Sequence, residues 1–328
     1  MEQLFASLSM IFDRSAKFRY KICKCRFRLE RTGETNSTRQ PKVISDQAPT
    51  MKLYAPTAAN RLAKHIARPL SKLACSGLLY KPLRIADAYF NFLIGKGAGT
   101  GWNLDEEVDA ATDNIFRQSP IVFDVGANRG HWSLDFSKKR PDGRIFLFEP
   151  SPGCQAEILA LKLPNSTLIP SAVGEHSGLT SFYSCSNTDG SASLYERRDT
   201  PFLNLVYQKT EVEITTLDQI FESHEIEFVD FVKMDIEGHE LAALRGAVKA
   251  IEAGKIGALS FEFGCGNINS RTFFKDYFDL LTRAGFELQR IAPRGKPVPT
   301  PEYYEDLEYF RGATNYLAVL KEHPYSRH

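Results

Sequence analysis

The chain has 328 residues, of which 43% are hydrophobic and 12% aromatic, and this composition excludes wholesale disorder. No run approaches the roughly 18 uncharged apolar residues of a membrane-spanning helix, and the length fits two domains or one α/β domain with an extension. The net charge of +1 hides an uneven split, because residues 1–101 carry 18 Lys and Arg against 6 Asp and Glu (+12), while the other 227 carry 23 against 34 (−11).

The first part of the chain is a basic arm. Charged and aromatic residues interleave from Arg14 to Arg31, and the polar stretch from Thr32 to Thr50 holds two prolines, so residues 1–50 are predicted to be flexible. An anionic partner would suit such an arm, and we expect peripheral contact with a membrane surface. Nucleic acid is a poorer expectation because no recognised nucleic-acid motif occurs. A solvated positive face is the plainer alternative.

Residues 51–101 are predicted to form a helical, basic extension. Apolar residues recur at helical spacing between Leu62 and Leu73, and an apolar run follows from Tyr89 to Ile94. We expect one or two helices that pack on the main domain or lie on a membrane surface. The glycine-rich stretch from Lys96 to Gly101 lacks the G-K-[ST] ending of a phosphate loop and is interpreted as a hinge.

The cysteines and the amino-terminal apolar patch are informative about the cellular compartment of the protein. Six cysteines show neither a C-x-x-C pair nor the spacing of a disulfide framework or zinc site. The apolar patch from Leu4 to Phe12 precedes the charged stretch and has no small-residue cleavage site, unlike a secretory signal. We therefore expect reduced thiols in a cytoplasmic protein.

Beyond Asp105, short apolar runs alternate with helical patterns. Seven strands are predicted, at Ile121–Val125, Arg144–Phe148, Thr167–Ser171, Phe228–Met234, Ala258–Phe263, Glu287–Ile291 and Tyr316–Leu320. Helices are predicted at His131–Lys138, Cys154–Leu163, Leu217–Glu222, Leu241–Ala253 and Arg271–Ala284, and a small hairpin joins Phe182–Tyr183 with Thr210–Ile214. This alternation predicts an α/β fold with a mostly parallel sheet and helices on both faces, whose ligand binds at the carboxyl ends of the strands.

The first predicted strand ends in the sequence DVGANRG. Gly126 and Gly130 allow a sharp turn and a close approach of the backbone to a ligand. Asn128 interrupts the G-x-G-x-x-G fingerprint of dinucleotide binding. A carboxylate at Asp124 would repel a phosphate but favour a cation, such as a sulfonium that also carries an ammonium group. A structural turn without a ligand is the alternative.

The second strand ends at Glu149, which follows Asp124 by 25 residues. This is near the spacing of about 20 residues at which an acid accepts hydrogen bonds from a ribose diol in a βαβ unit. Each acid alone could be a helix cap or a surface residue. Together, at the ends of consecutive strands, they favour an adenosine cofactor.

The fourth strand leads into the sequence KMDIEGHE. Lys233 and Asp235 share one side of the strand because side chains alternate, and Asp235 lies at the end that faces the expected cleft. An internal Lys233–Asp235 network that only stabilises the fold is the alternative. Glu240 is predicted to cap the helix that follows.

In this order, these segments resemble the FkbM family of S-adenosyl-L-methionine-dependent methyltransferases. The resemblance covers about residues 119–322 and is carried by VFDVGANRG (Val122–Gly130), FEP (Phe148–Pro150), AVG (Ala172–Gly174), the S-x-S-L step (Ser191–Leu194), TLD (Thr216–Asp218) and KMDIEGHE (Lys233–Glu240). It implies a class I, Rossmann-like methyltransferase domain over residues 102–328, with a seven-stranded sheet whose last strand is antiparallel. It also implies O-methylation of a hydroxyl on a sugar, glycolipid or natural product.

The resemblance also implies a cofactor site for S-adenosyl-L-methionine. Its methionine part would be surrounded by Asp124, Gly126, Asn128 and Gly130; its ribose would be held by Glu149; its adenine would be bordered by Pro150, Ser171 and Ala172; and its sulfonium would lie beside Asp235. Many related enzymes have an acid at the position of Ser171.

An alcohol nucleophile has a high pKa and needs a base or a metal to weaken its proton. Asp235 is the first choice for the base, and Glu237 and His239 are further candidates, although a lone histidine in a loop is more often neutral surface. A divalent cation held by Asp235, Glu262 and Asn267 is the less favoured alternative.

Two other classes of protein fit parts of the sequence. A nicotinamide-dependent Rossmann oxidoreductase would share the βαβ unit and the ribose acid, and a non-catalytic membrane-associated protein would use the basic arm. Within the methyltransferase interpretation, the acceptor is a small molecule or glycan, with contacts expected from residues 185–206 and 293–310.

Overall fold

The computed structural model describes residues 79–97, 104–186, 190–197, 205–293 and 296–325, together with the single positions 65, 68, 71, 72, 74, 77 and 99. All of these residues lie in one compact unit, residues 63–328. The predicted flexible segment, residues 1–50, lies outside the described residues. So do Leu62 and Leu73, which bound the first helical pattern.

Eleven strands are found in the described residues: β1 (Ile121–Val125), β2 (Arg144–Phe148), β3 (Ser166–Ile169), β4 (Ala172–Val173), β5 (Gly178–Ser184), β6 (Gln208–Thr215), β7 (Val229–Met234), β8 (Ile256–Gly264), β9 (Phe286–Ala292), β10 (Lys296–Pro299) and β11 (Ala313–Leu320). The described helices are α1 (Tyr80–Leu93), α2 (Leu104–Thr112), α3 (His131–Lys139), α4 (Pro152–Leu161), α5 (Leu217–Ser223), α6 (Glu240–Arg245), α7 (Val248–Glu252), α8 (Gly266–Ser270), α9 (Phe274–Arg283) and a 3₁₀ turn at Glu305–Glu308.

The central sheet has the strand order β10-β9-β11-β8-β7-β1-β2-β3. Strands β3, β2, β1, β7 and β8 are mutually parallel, whereas β11 is antiparallel to both β8 and β9. This confirms the predicted α/β class with a mostly parallel sheet and an antiparallel last strand. The edge strand β10, which pairs with β9, was not predicted.

Both faces of the sheet are covered. Phe123 and Val125 pack in one apolar cluster and Val122 packs in another, as expected when successive side chains of a strand point to opposite faces. All six residues of β7 are buried. Strands buried on both faces are rich in apolar residues, which explains why β1 and β7 could be recognised although they also carry the buried charged residues Asp124, Asp230 and Lys233.

Several predicted elements differ from the structure. The predicted helix Arg271–Ala284 begins only at Phe274, and the predicted strand Tyr316–Leu320 begins earlier, at Ala313. The predicted helix Leu241–Ala253 is divided into α6 and α7 around Gly246, where a Cβ atom would lie 2.0 Å from the carbonyl oxygen of Gly174. The third strand ends at Ile169 rather than Ser171, because Pro170 has no N–H to donate to a neighbouring strand. Ser171 therefore lies in the loop beyond the strand.

A second sheet of order β4-β6-β5 follows the third strand. It confirms the predicted hairpin, since β5 and β6 are antiparallel with Phe182 opposite Thr210, and β4 adds a short parallel pairing to β6. The side chain of Phe182 is buried. This sheet carries residues that lie at the carboxyl edge of the main sheet.

Helix α1 includes most of the apolar run that was predicted at Tyr89–Ile94. The guanidinium of Arg311 pairs with Asp87 and donates to the carbonyl oxygen of Arg84 at 2.9 Å. After the helix, the amide of Gly99 donates to the carbonyl oxygen of Ala313 at 2.9 Å. Among the described residues, no helix combines the length and apolar character needed to cross a bilayer.

Candidate active site

A cavity of about 570 Å³ lies at the carboxyl edge of the parallel strands. Its walls come from the ends of β1, β2 and β7, from the turn into β4, from β5 and from the segment 190–194. The predicted residues that line it are Gly126, Asn128, Glu149, Pro150, Ser171, Ala172, Asp235, Glu237 and His239. The structure thus brings nine predicted site residues together in one cavity.

Two predicted residues, Asp124 and Gly130, are not in the lining of this cavity. Asp124 is 0% exposed and lies beneath the loop that follows β1, where its Oδ2 accepts a hydrogen bond from Ser133 Oγ at 2.7 Å. Gly130 begins α3, and a Cβ atom there would meet the side chains of Leu161 and Ile158. Both residues shape the loop from the side that faces away from the cavity.

The loop after β1 is pressed against the loop after β7. Gly126 has φ 81°, and a Cβ atom on it would lie 2.0 Å from the carbonyl oxygen of Asp235. Only glycine fits this approach. Asn128 also has a positive φ, 48°, a conformation that asparagine tolerates better than most residues. The GAN sequence is therefore required by the backbone path as well as by any ligand.

Glu149 follows β2 and is held by backbone amides. Its Oε2 accepts from the amide of Asn128 and its Oε1 accepts from the amide of Ser151, both at 2.8 Å. The residue is almost fully buried, and burial raises its pKa to about 7. Each carboxylate oxygen can accept a second hydrogen bond, so the group can still bind a diol.

Lys233 is a buried cation that joins the loops after β1 and β7. Its Nζ lies 3.3 Å from Asp124 Oδ1, 3.7 Å from Asp235 Oδ2 and 3.0 Å from the carbonyl oxygen of Gly126. Burial would lower the pKa of this amine, but Asp124, Asp235 and Glu107 outweigh it and raise the pKa above its usual value. Lys233 and Asp235 are therefore paired, with Asp124 as an additional member of the network.

Asp235 is the accessible acid of this network. Its side chain is 45% exposed, whereas that of Asp124 is inaccessible. Its carboxylate faces the main cavity and also a smaller one described below. An ionised carboxylate in this position can reach a ligand while Lys233 compensates its charge.

The carboxylate of Glu237 forms an ion pair with Arg197 of the segment 190–197. Arg197, which is buried, donates to its carboxylate through Nη1 and to the Sγ of Cys265 through Nη2 at 2.8 Å. Burial and the nearby charge of Asp235 raise the pKa of Glu237 to about 8 despite the arginine. The backbone of Glu237 has φ 54° and its carbonyl accepts from Ser193 Oγ at 3.0 Å, so the residue is tightly held.

His239 is a partly buried histidine in the cavity wall, unlike the surface histidine that was the alternative. Its Nδ1 lies 2.9 Å from the hydroxyl of Tyr195, and burial lowers its pKa to about 4. Burial thus favours the uncharged imidazole near neutral pH. Its low pKa makes it a weak proton acceptor near neutral pH.

Glu240 holds the loop between β7 and α6 from within. Its Oε1 accepts from the amide of Ile236 at 2.9 Å and from that of Gly238 at 3.2 Å, and the side chain is fully buried. The sequence predicted a helix cap. The structure instead shows a carboxylate that fixes the path of residues 236–238, next to the candidate catalytic side chains.

A smaller cavity of about 250 Å³ adjoins Asp235. It contains Glu107, whose pKa is raised to about 7 by burial and by Asp235, and Glu262, whose pKa is raised well above its usual value, chiefly by burial. Asn315 donates to Glu107 at 2.7 Å. Neither Glu107 nor Asn315 was predicted, because they lie in distant parts of the sequence and only the fold brings them together.

The alternative metal site is not assembled as the sequence suggested. The amide oxygen of Asn267 accepts from the amide of Gly264, and its nitrogen donates to Thr272 and Tyr277, so this side chain serves the β8–α8 connection. Asn267 does not line the cavity that holds Asp235 and Glu262. Within the described ranges, no group of three or more His, Cys, Asp or Glu side chains is placed to hold a metal ion.

The segment 190–197 belongs to the stretch 185–206 from which the sequence predicted contacts with the acceptor, and it includes the S-x-S-L motif. It contributes Ser193 to the wall, Tyr195 to His239 and Arg197 to Glu237. Its partners could not be inferred, because they lie about forty residues further along the chain.

The strand order, the glycine loop after β1, the acid after β2 and the antiparallel last strand together define a class I methyltransferase. The model of the methyltransferase FkbM domain matches residues 124–288, which is half of the chain. The chain belongs to the FkbM methyltransferase family, and its fold is that of the enzymes that bind S-adenosyl-L-methionine.

Two curated relatives are 26% identical to the chain. They are methyltransferase sdnD of Sordaria araneosa, with 39% of this chain aligned, and 2-O-methyltransferase NoeI of Sinorhizobium fredii, with 41% aligned. The alignments span 60% of the length of each relative. Their activities are therefore a basis for a proposal about this chain.

Solved structures of methyltransferases are similar in outline only. A precorrin-6y C5,15-methyltransferase from Geobacter metallireducens has 12% identity and a TM-score of 0.36, covering 66% of this chain and 88% of that one. A putative methyltransferase from Streptococcus mutans, in complex with SAH, has 8% identity and a TM-score of 0.38, covering 67% and 98%. Likeness at this level carries no argument about the reaction.

Proposed function

We propose that the protein is an S-adenosyl-L-methionine-dependent methyltransferase that methylates a hydroxyl group on a sugar, glycolipid or natural product. The observation that carries the proposal is the meeting of Glu149, at the end of β2, with Asp235, at the end of β7, in one cavity. The first suits a ribose diol and the second suits a reacting centre at the other end of the same ligand.

The residues of the cavity fit this cofactor. Glu149 has its two oxygens oriented by backbone amides and retains acceptor capacity for the ribose hydroxyls. Ser171 Oγ is buried in the cavity wall and has no hydrogen-bond partner among the described residues, which leaves a polar group for the adenine end. Gly126 and Asn128 line the same cavity and would border the methionine part.

The chemistry that the cofactor supplies when bound is a methyl group on a sulfonium. Transfer is an in-line displacement that needs the acceptor oxygen about 3 Å from the methyl carbon, so the chief task of the protein is to position the acceptor. The chain must also receive the proton of the acceptor hydroxyl, and this can occur only at a side chain that reaches the acceptor.

Asp235 suits the role of proton acceptor better than its two neighbours. Its carboxylate is accessible and its charge is compensated by Lys233 at 3.7 Å. The carboxylate of Glu237 is already engaged by Arg197, and His239 has a pKa of about 4 and contacts Tyr195. We therefore assign the base to Asp235, and positioning of the acceptor to Glu237 and His239.

The choice of oxygen as the methylated atom rests on two supports. The relative NoeI is named a 2-O-methyltransferase. In addition, the fourth-strand sequence KMDIEG carries no N/D-P-P-Y/F motif of enzymes that methylate exocyclic amines. The family membership weighs against the oxidoreductase, whose fingerprint Asn128 interrupts.

Titration calorimetry tests the cofactor assignment. The purified chain is expected to bind S-adenosylhomocysteine, and the Asp135→Asn variant, altered on the exposed side of α3, serves as a control with the same affinity. NADH is the competing probe. Saturable binding of NADH without binding of S-adenosylhomocysteine would overturn the proposal in favour of an oxidoreductase.

A further inference from the structure

Helix α1 turns its polar side toward the body of the protein. Arg311 pairs with Asp87 and also bonds to the carbonyl oxygen of Arg84, and Arg290 donates to the carbonyl oxygen of Ile94 just after the helix at 3.1 Å. At 100° per residue, Arg84 and Asp87 lie on one side of the helix. No residue of the helix is buried.

The opposite side of α1 is apolar and exposed. Ile85 and Tyr89 lie roughly opposite the pair with Arg311, and their exposed fractions are 70% and 60%. Tyr80 is also exposed but lies on the side of Arg84 and Asp87, and Ile94 follows the helix. The exposed apolar side chains on the remaining side are Leu83, Ile85, Tyr89, Phe90, Phe92 and Leu93. We call these six residues the α1 apolar face.

This arrangement reverses the usual polarity of a surface helix, which turns its apolar stripe toward the core. Single exposed apolar residues are ordinary, but a contiguous apolar surface of this kind marks a contact with a protein or a membrane. The face therefore needs a partner to remove it from water.

The charge around the α1 apolar face indicates which partner. Residues 61–86 contain six basic residues and no acidic one; the six are Arg61, Lys64, Arg68, Lys72, Lys81 and Arg84. Among these, Arg68, Lys72, Lys81 and Arg84 are described and exposed. The remainder of the chain after residue 101 has a charge of −11 and would be repelled by an anionic surface. Attraction to an anionic surface is thus expected from residues 1–101, the part of the chain that carries the apolar face.

We propose that the α1 apolar face docks on an anionic lipid membrane. The aromatic side chains Tyr89 and Phe90 would lie at the level of the headgroups, and the basic residues would pair with lipid phosphates and carboxylates. The acidic body would stay in the aqueous phase. A second copy of this chain is the competing occupant, and it lacks this charge complementarity because the same basic segment would face itself.

Vesicle sedimentation of the full chain tests the proposal. The probes are vesicles of phosphatidylcholine with phosphatidylserine and vesicles of phosphatidylcholine alone. The chain is expected to sediment with the first and not the second, and to be released as salt rises, since screening weakens the attraction. Equal partition on both kinds of vesicle, or no sedimentation with either, would overturn the proposal.

Matched variants locate the surface. Ile85→Glu with Leu93→Glu should weaken partition by about tenfold or more, because two apolar side chains no longer enter the interface. Leu179→Glu alters an equally exposed apolar residue on β5 and should partition as the wild type does. Circular dichroism and thermal unfolding show whether each variant is folded; if the double variant is not, Lys72→Gln with Lys81→Gln is measured instead and should also weaken partition.

Light scattering shows whether the chain is a monomer or a dimer, and so distinguishes a membrane from a second copy as the partner of the α1 apolar face. A monomer that binds anionic vesicles supports the membrane. A dimer that Ile85→Glu with Leu93→Glu dissociates, together with vesicle binding that this variant retains, would assign the face to a second copy and contradict the proposal.

Discussion

Glu149 is the residue on which cofactor affinity should depend most directly. Its pKa is raised to about 7, so in the free protein the carboxylate gains a proton as the pH falls through that value and loses part of its acceptor capacity. Affinity for S-adenosylhomocysteine should therefore be full above about pH 8 and should decline toward about pH 6.

Calorimetry on Glu149→Gln checks this prediction. We expect about tenfold to hundredfold weaker binding, the effect of losing hydrogen bonds to a charged group, and a flatter pH profile. Glu157→Gln, on the exposed surface of α4, is the control. An unchanged affinity in Glu149→Gln would show that this carboxylate does not hold the ribose.

A substitution at Asp235 should lower turnover without weakening the binding of the cofactor. Replacing it by asparagine keeps the shape of the side chain but removes the proton acceptor, so Asp235→Asn should bind S-adenosylhomocysteine nearly as well as the wild type and lose about 10²- to 10⁴-fold in turnover. Steady-state rates beside calorimetry on the same samples make the comparison. Near-normal turnover in this variant would exclude Asp235 as the base and return attention to Glu237.

Asp124 is expected to act through structure. It is inaccessible, and its loss would leave the buried Lys233 without its nearest carboxylate. Asp124→Ala should therefore lower the free energy of unfolding by about 3–5 kcal/mol, measured by urea denaturation. Asp109→Ala on the exposed side of α2 is the control. A variant of normal stability that lost only ligand affinity would restore the direct contact implied by the family resemblance.

At the scale of elements, the segment 190–197 is coupled to the loop after β7. The buried side chain of Arg197 binds Glu237, Tyr195 contacts His239, and Ser193 bonds to the carbonyl of Glu237. Removing one member of a buried pair costs more than removing both, because it leaves a polar group or charge without compensation.

A double-mutant cycle measures this coupling. Arg197→Met should destabilise the protein by about 3 kcal/mol or more, and Arg197→Met combined with Glu237→Met should be more stable than that single variant. Urea unfolding curves give the four free energies. If the change in the free energy of unfolding of the double variant equals the sum of the two single changes, the pair does not couple the two segments.

The elements also show what could be inferred from the sequence. Buried parallel strands such as β1 and β7 are mostly apolar, and both were located to within one residue. The helix after β7 was predicted as continuous because the close approach of Gly246 to Gly174, far away in sequence, is not visible in a local pattern. Helix α2 was missed because it is short and half polar.

The candidate site also has parts that could be predicted from the sequence and parts that could not. Residues at strand ends, such as Glu149 and Asp235, could be predicted because a parallel sheet brings the carboxyl ends of its strands to one edge. The contacts that control their charge, such as Lys233 with Asp124 or Arg197 with Glu237, join different loops. No local pattern reports such contacts, so they became visible only in the folded chain.

At the scale of the whole molecule, the basic charge of residues 1–101 and the acidic charge of the other residues can be related to the structure. Asp235, Glu107 and Glu262 belong to the acidic part of the chain; Asp235 lines the cavity proposed for a cationic cofactor, and all three line the smaller cavity beside it. The length fits two domains or one domain with an extension, and all of the described residues lie in one compact unit. The basic residues precede the acidic part and are concentrated before and within α1.

The most direct test of the account is methyl transfer itself. Purified protein, S-adenosyl-L-methionine with a labelled methyl group and an extract of its source cells are incubated together, and the labelled product is identified by mass spectrometry. The account predicts a label on a hydroxyl oxygen of a sugar, glycolipid or natural product, formed by the wild type and not by Asp235→Asn. A label on nitrogen or carbon, or the same yield from both proteins, would contradict it.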